Sequence, residues 1–160
     1  MNIKLIAVGK LRDSFYEQAF SEYVKRMSPY CRFELIQLAE ERFSSDSAPV
    51  SEIEAALDKE AQAILAKIPQ KAYVTALCVE GKQLSTEEFA SQIEKNMISG
   101  RSDMCFIIGS SYGLSDKVKN RADFRLSFSK MTFPHTLMRV IFAEQLYRAF
   151  KVIRKETYHK

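Results

Sequence analysis

Residues 72–113 read AYVTALCVEGKQLSTEEFASQIEKNMISGRSDMCFIIGSSYG, and this stretch decides the fold class. Residues 72–79 are an apolar run, and Gly81 follows it. Ser85-Thr86-Glu87-Glu88 is a capping box, in which the hydroxyl and the carboxylate three residues later satisfy each other's orphan amides. The helix it opens stops at Gly100, and a second apolar run, 104–108, is cut by Gly109. Short continuous apolar runs suit strands buried on both faces, and a helix between two of them suits a parallel crossover.

The same alternation extends outward. Residues 3–8 predict a strand bounded by Gly9. Residues 13–27 predict a helix, with Phe15, Ala19, Phe20, Tyr23, Val24 and Met27 at helical spacing and Pro29 beyond. A strand is expected over 33–38 and a Ser-rich loop containing Pro49 over 43–50. Ser51-Glu52-Ile53-Glu54 predicts a second capping box, opening a helix that runs to about 68 and is stopped by Pro69. A short helix over 115–120, a last strand over 124–128 and a long helix over 136–155 complete the chain. The expectation is an α/β domain spanning 1–160: an open, mostly parallel sheet with helices on both faces and no internal repeat.

Composition agrees. The 160 residues are 46% hydrophobic and 28% charged, with five Gly and four Pro, which excludes a disordered, collagen-like or linker-rich chain. No apolar run approaches the roughly 20 residues of a membrane span, and the run in MNIKLIAVGKLRD is too short for a signal peptide. Cys31, Cys78 and Cys105 are odd in number and widely spaced, with no CxxC or Cys/His pair. They read as small buried hydrophobes in a reducing, cytoplasmic setting, and no structural zinc is expected.

Charge is uneven. Residues 117–160 hold 11 Lys/Arg against 3 Asp/Glu, while residues 1–116 hold 13 against 17. A basic C-terminal quarter on an acidic body suggests a polyanionic partner, although charge alone does not separate RNA from an acidic protein. The last helix is apolar nearly all round, from Leu137 and Met138 to Val152 and Ile153, so it needs cover on two sides. The sheet supplies one side, and a second copy of the chain is the simplest supply of the other. A homodimer is therefore expected.

Ligands of open α/β sheets bind beyond the carboxyl ends of strands. Three such ends here carry residues that let a backbone approach a ligand: 77–81, 109–113 and 127–135. As neighbours they would form one cup, with Leu77, Met131 and Phe133 as walls of an adenine-sized slot. No G-x-G-x-x-G opens a helix, no P-loop occurs, and Ser110 and Ser111 are not in a G-x-S-x-G elbow. Of the two histidines, His135 follows Pro134 at a helix start and suits a packing role. His159 lies in the tail Tyr158-His159-Lys160, which can fray or clamp a nucleotide.

LSFSKMTFPHTLMRVIFAEQLYRAFKVIRKETYHK at the end, IKLIAVGKLRD at the start and IIGSSYGLS between them resemble the SPOUT-class (α/β-knot) methyltransferases that act on N3 of a pseudouridine in 23S ribosomal RNA. The resemblance covers the whole chain. It implies a C-terminal trefoil knot, a homodimer, S-adenosyl-L-methionine as methyl donor and assembled ribosomes as substrate. Carried over by position, the cofactor contacts would be Leu77, Gly109, Phe128, Ser129, Lys130, Met131, Thr132 and Phe133. Tyr158, His159 and Lys160 would meet the target nucleotide, with His159 as the candidate base and the tail supplied by either subunit. Phosphates would be held by cations of the basic quarter, among them Arg125, Lys130, Arg139, Arg148, Lys151 and Arg154. The family's glycine loop reads GG-x-x-G, whereas here Ser110 puts a Cβ after Gly109. Two rival readings remain at this stage: a non-catalytic ribosome-binding module, and a flavodoxin-type nucleotide-binding protein acting on a small molecule.

Overall fold

A computed structural model describes residues 1–41 and 48–158; the expected loop over 43–50 falls mostly outside them. The elements are β1 (Asn2–Val8), α1 (Ser14–Met27), β2 (Arg32–Leu38), α2 (Val50–Leu65), β3 (Tyr73–Gln83), α3 (Thr86–Ile98), β4 (Asp103–Ile108), α4 (Asp116–Arg121), β5 (Phe124–Ser127) and α5 (His135–Ile153). The strands form one sheet in the order β2-β1-β4-β3-β5, and every pairing is parallel.

The apolar strands are buried on both faces, as their unbroken runs require. Met104, Phe106 and Ile108 of β4 face α1, α3 and α5, in a core with Phe20, Phe89, Ile93, Phe142 and Leu146. Cys105 and Ile107 face the other way, toward α2 and α4, with Ala61, Ile64 and Val118. Helices thus cover both faces, as the alternation predicts.

Local detail follows expectation in one place and departs from it in two. The Ser85 capping box forms as read, with the Glu88 amide donating to Ser85 Oγ at 3.2 Å and the Ser85 amide to Glu88 Oε2 at 2.7 Å. The box at Ser51 does not form: α2 begins one residue earlier on Pro49, whose carbonyl takes the amides of Glu52 and Ile53. Proline's fixed φ, −59° here, already suits helix entry and pre-empts the hydroxyl cap. β3 continues past the expected end at residue 79, because Gly81 allows its backbone to lie against β5. A Cβ at Gly81 would sit 2.7 Å from the carbonyl carbon of Leu126 and 2.8 Å from that of Arg125. The ladder shifts register there, between Leu77 and Lys82.

On α5 the fully buried positions are Arg139, Phe142, Ala143, Leu146, Ala149 and Phe150, a single stripe against the sheet. Leu137, Met138, Val140, Ile141, Tyr147, Val152 and Ile153 are only half-buried. No helix among the described residues is long and apolar enough to cross a membrane.

Candidate active site

The sheet order makes β4, β3 and β5 neighbours, so their carboxyl ends converge. They enclose a cleft of about 640 Å³, within the range of small-molecule sites. Leu77 to Glu80 come from β3, residues 109–113 from the loop after β4, and Phe128, Ser129, Met131, Thr132 and Phe133 from the loop after β5. His135 and Met138 of α5 close it. All three strand ends singled out from the sequence therefore meet. Of the eight expected contacts, Leu77, Gly109, Phe128, Ser129, Met131, Thr132 and Phe133 line the cleft, and Lys130 does not.

The loop after β4 folds tightly on itself. Gly113 has φ +88°, a left-handed conformation that favours glycine. Its amide donates to the Ser110 carbonyl at 3.0 Å. A Cβ on Gly109 would lie 2.0 Å from the Gly113 carbonyl oxygen, so no other residue fits there. Ser110 has no positive φ, so its Cβ is accommodated. The serine is buried and donates from Oγ to Glu60 Oε2 at 2.9 Å. In the loop after β5, Ser127 Oγ donates to the Ser129 carbonyl, and the Met131 amide donates to Ser129 Oγ, both at 2.9 Å. That leaves the Met131 side chain 73% exposed at the rim.

The ionic groups lining the cleft are few. Glu80 pairs with Lys119 at 2.6 Å, and this partner holds its carboxyl below the usual range. His135 is half-buried, and desolvation lowers its pKa against an opposing pull from Glu40. The rest of the lining is apolar side chains, backbone and the hydroxyl-bearing Ser110, Ser111, Tyr112, Ser129 and Thr132. That donor set suits a molecule carrying a planar base and few charges, and it offers no strong anion cradle. Cys78 also lines the cleft, and burial raises its thiol pKa. Sequence reading placed Cys78 both among the buried cysteines and in the strand end 77–81 expected to meet a ligand; it is only half-buried and lines the cleft.

Tyr158, the one tail residue described, lies elsewhere on the same chain. Tyr158 packs edge-on against Tyr147, with ring centroids 4.8 Å apart, and its hydroxyl donates to Glu144 Oε1 at 3.2 Å. The Arg148 guanidinium lies over its ring at 4.7 Å. These α5 partners are two to three turns beyond Met138, the last cleft residue on that helix. Burial, reinforced by Tyr23 and Glu144, pushes the Tyr158 phenol up to about 12. His159 and Lys160 lie outside the described residues.

The basic quarter needs correction in detail. Arg139, expected among the phosphate-holding cations, is completely buried. Its Nη2 donates to the carbonyls of Val8 at 2.6 Å and Gly9 at 3.1 Å, and Nη1 to Gln37 at 3.4 Å. A guanidinium so placed caps the end of β1 and is closed to RNA. Arg148 pairs with Glu144, and Lys151 with Glu156 at 2.5 Å. Arg125 donates to the Lys119 carbonyl and to Asn120. Arg154 and Lys130 make no side-chain hydrogen bond or ion pair among the described residues, and both are exposed.

The whole chain, residues 1–159, matches a family model described as predicted SPOUT methyltransferase. Curated relatives carry the name Ribosomal RNA large subunit methyltransferase H. The one from Clostridioides difficile is 47% identical and the one from Streptococcus thermophilus 48%, each over 160 residues that span the whole of both chains. Among solved structures, a probable methyltransferase from Bordetella pertussis superposes with a TM-score of 0.57 over 92% of this chain and 95% of that one, at 14% identity. A probable methylase family protein from Haemophilus influenzae gives 0.53 over 99% of this chain and 70% of that one, also at 14% identity. At that identity these two likenesses speak for the fold alone.

Proposed function

The chain belongs to the SPOUT methyltransferase family, and from that premise we propose that it methylates N3 of a pseudouridine in 23S ribosomal RNA on assembled ribosomes, with S-adenosyl-L-methionine as donor and a homodimer as the working unit. The observation that carries this reading is the convergence of three distant segments, 77–80, 109–113 and 128–133, on one cleft of matching size and chemistry. The full-length relatives named as ribosomal RNA large subunit methyltransferases supply the substrate class. The trefoil knot of the family and a cytoplasmic setting belong to the same proposal.

S-adenosyl-L-methionine supplies an activated methyl group on a sulfonium, so transfer is an in-line displacement that needs no metal. The residues present fit such a donor. Leu77, Leu126 and Met138 wall an apolar slot for a planar base, and the backbone of 109–113 and 128–133 offers amides and carbonyls at close range. The chain's task is alignment, and positioning of this kind can remove up to roughly 7–11 kcal/mol of a barrier. The N3 proton must leave as the bond forms. Tyr158 is unsuited to take it, because a phenol pushed up to about 12 stays protonated near neutral pH and acts as donor and stacking surface. His159 of the tail is the candidate base, with a water or the RNA itself as the alternative acceptor. In one subunit Tyr158 sits on the middle of α5, away from the cleft, which supports delivery of the tail to the cleft of the partner subunit.

The test is radiolabelled methyl transfer to ribosomes from a strain lacking the gene, with nucleotide mapping. The label is expected at a single pseudouridine of the large-subunit RNA, and its absence there would end the enzymatic reading. Calorimetry with S-adenosyl-L-methionine separates the enzyme from a ribosome-binding module, which would give no heat.

A further inference from the structure

We infer that Glu60 is a positioning residue for the cleft: through Ser110 it holds the glycine loop 109–113 in the shape that receives the methyl donor. The inference rests on the functional reading above and adds a residue from outside the cleft lining. Glu60 lies on α2 and is only 6% exposed. No cation pairs with it among the described residues. A buried carboxylate without a cation is a liability that an apolar residue of similar size would avoid.

What Glu60 holds offsets that cost. Oε2 accepts the Ser110 hydroxyl at 2.9 Å, and Oε1 accepts the Glu41 amide at 3.1 Å. Both donors come from segments that shape the cleft side of the sheet. Glu40, one residue before Glu41, accepts from the Ser111 hydroxyl at 3.1 Å and its amide at 3.4 Å. The two serines of the loop are therefore held by two adjoining carboxylates, one from α2 and one from the segment after β2. Gly109 has no room for a side chain and Gly113 supplies the left-handed turn, so the ends of the loop are fixed by backbone geometry. Ser110, between them, is the one loop residue whose side chain reaches back into the body of the protein at a buried position.

The experiment measures S-adenosyl-L-methionine binding by calorimetry and amide exchange of residues 110–113 in the full-length protein, for the wild type, Ser110→Ala, Glu60→Met, which keeps the length of the side chain and removes both acceptor oxygens, and the double variant. Loss of one hydrogen bond to a buried carboxylate is expected to raise Kd about tenfold in each single variant. The double variant should be little worse than either, since both changes remove the same bond, and exchange at 110–113 should quicken in all three. A role confined to stability would lower Tm and leave Kd and loop exchange as in the wild type; that result, or fully additive losses in Kd, overturns the inference. Should Glu60→Met fail to fold, Ser110→Ala and Ser110→Gly decide the matter by the same two readouts. A wild type that binds no donor would refute the methyltransferase cleft itself, whereas binding by wild type and variants alike would refute only the role of Glu60.

Discussion

His135 sits at the junction of the cleft and the α5 N-terminus, and its environment makes a pH prediction. Desolvation lowers its pKa from the ordinary 6.5, and the Arg139 guanidinium adds to the effect while Glu40 opposes it. The folded protein thus favours the neutral imidazole. As pH falls below 6.5 the unfolded chain takes up this proton first, so stability falls until the folded-state pKa is passed. Thermal unfolding should show this slope as pH falls below 6.5 in the wild type and lose it in His135→Gln. Equal slopes in both proteins would mean that the ring is solvated in the fold. Gly109 makes a sharper case. With the Gly113 oxygen 2.0 Å from where a Cβ would stand, Gly109→Ala must open the loop. S-adenosyl-L-methionine affinity is expected to drop by at least about tenfold, as when one or more backbone contacts are lost, while far-UV circular dichroism stays unchanged.

Elements were legible where one local rule acted alone. The apolar runs of β1, β3 and β4 and the Ser85 box needed only burial and capping, and they form as read. The Ser51 box failed because Pro49 offered a competing helix start. The extension of β3 was hidden because it depends on how near β5 comes to Gly81, a fact of tertiary packing. Gly81→Ala should cost about 1–3 kcal/mol in urea unfolding, since the added carbon meets backbone on β5 that cannot move aside. The site was legible as three strand ends, and its Glu60 anchor was not, because nothing in the spacing of residues 60 and 110 signals contact. Arg139 was misplaced for a related reason. On a helix drawn alone it looks like a surface cation, yet it lies on the buried stripe with Phe142, Ala143 and Leu146. Arg139→Met should destabilise by about 1–3 kcal/mol, because the Val8 and Gly9 carbonyls lose their donor. The salt dependence of ribosome binding should be the same in wild type and variant, and a shallower slope in the variant would return Arg139 to the RNA.

At the scale of the whole molecule, the proposed reaction needs the cleft and the tail to act together, although Tyr158 lies apart from the cleft in one chain. The cleft opens at the start of α5, whereas Tyr158 packs against Glu144, Tyr147 and Arg148 further along that helix. α5 also carries half-buried apolar residues away from its core stripe, among them Val140, Ile141, Tyr147 and Val152. An antiparallel pairing of two such helices would set each tail beside the other subunit's cleft. This arrangement predicts complementation. A chain lacking residues 158–160 should bind donor and fail to methylate, and Gly109→Ala should fail at donor concentrations well below its raised Kd. Mixed and allowed to exchange subunits, the two should regain activity, because the hybrid dimer holds one intact cleft facing one intact tail. If random exchange makes half of the dimers hybrids with one working site each, about a quarter of the wild-type sites return. A mixture that stays inactive, with hybrid dimers demonstrated by mass spectrometry, would show that each chain must bring its own tail to its own cleft.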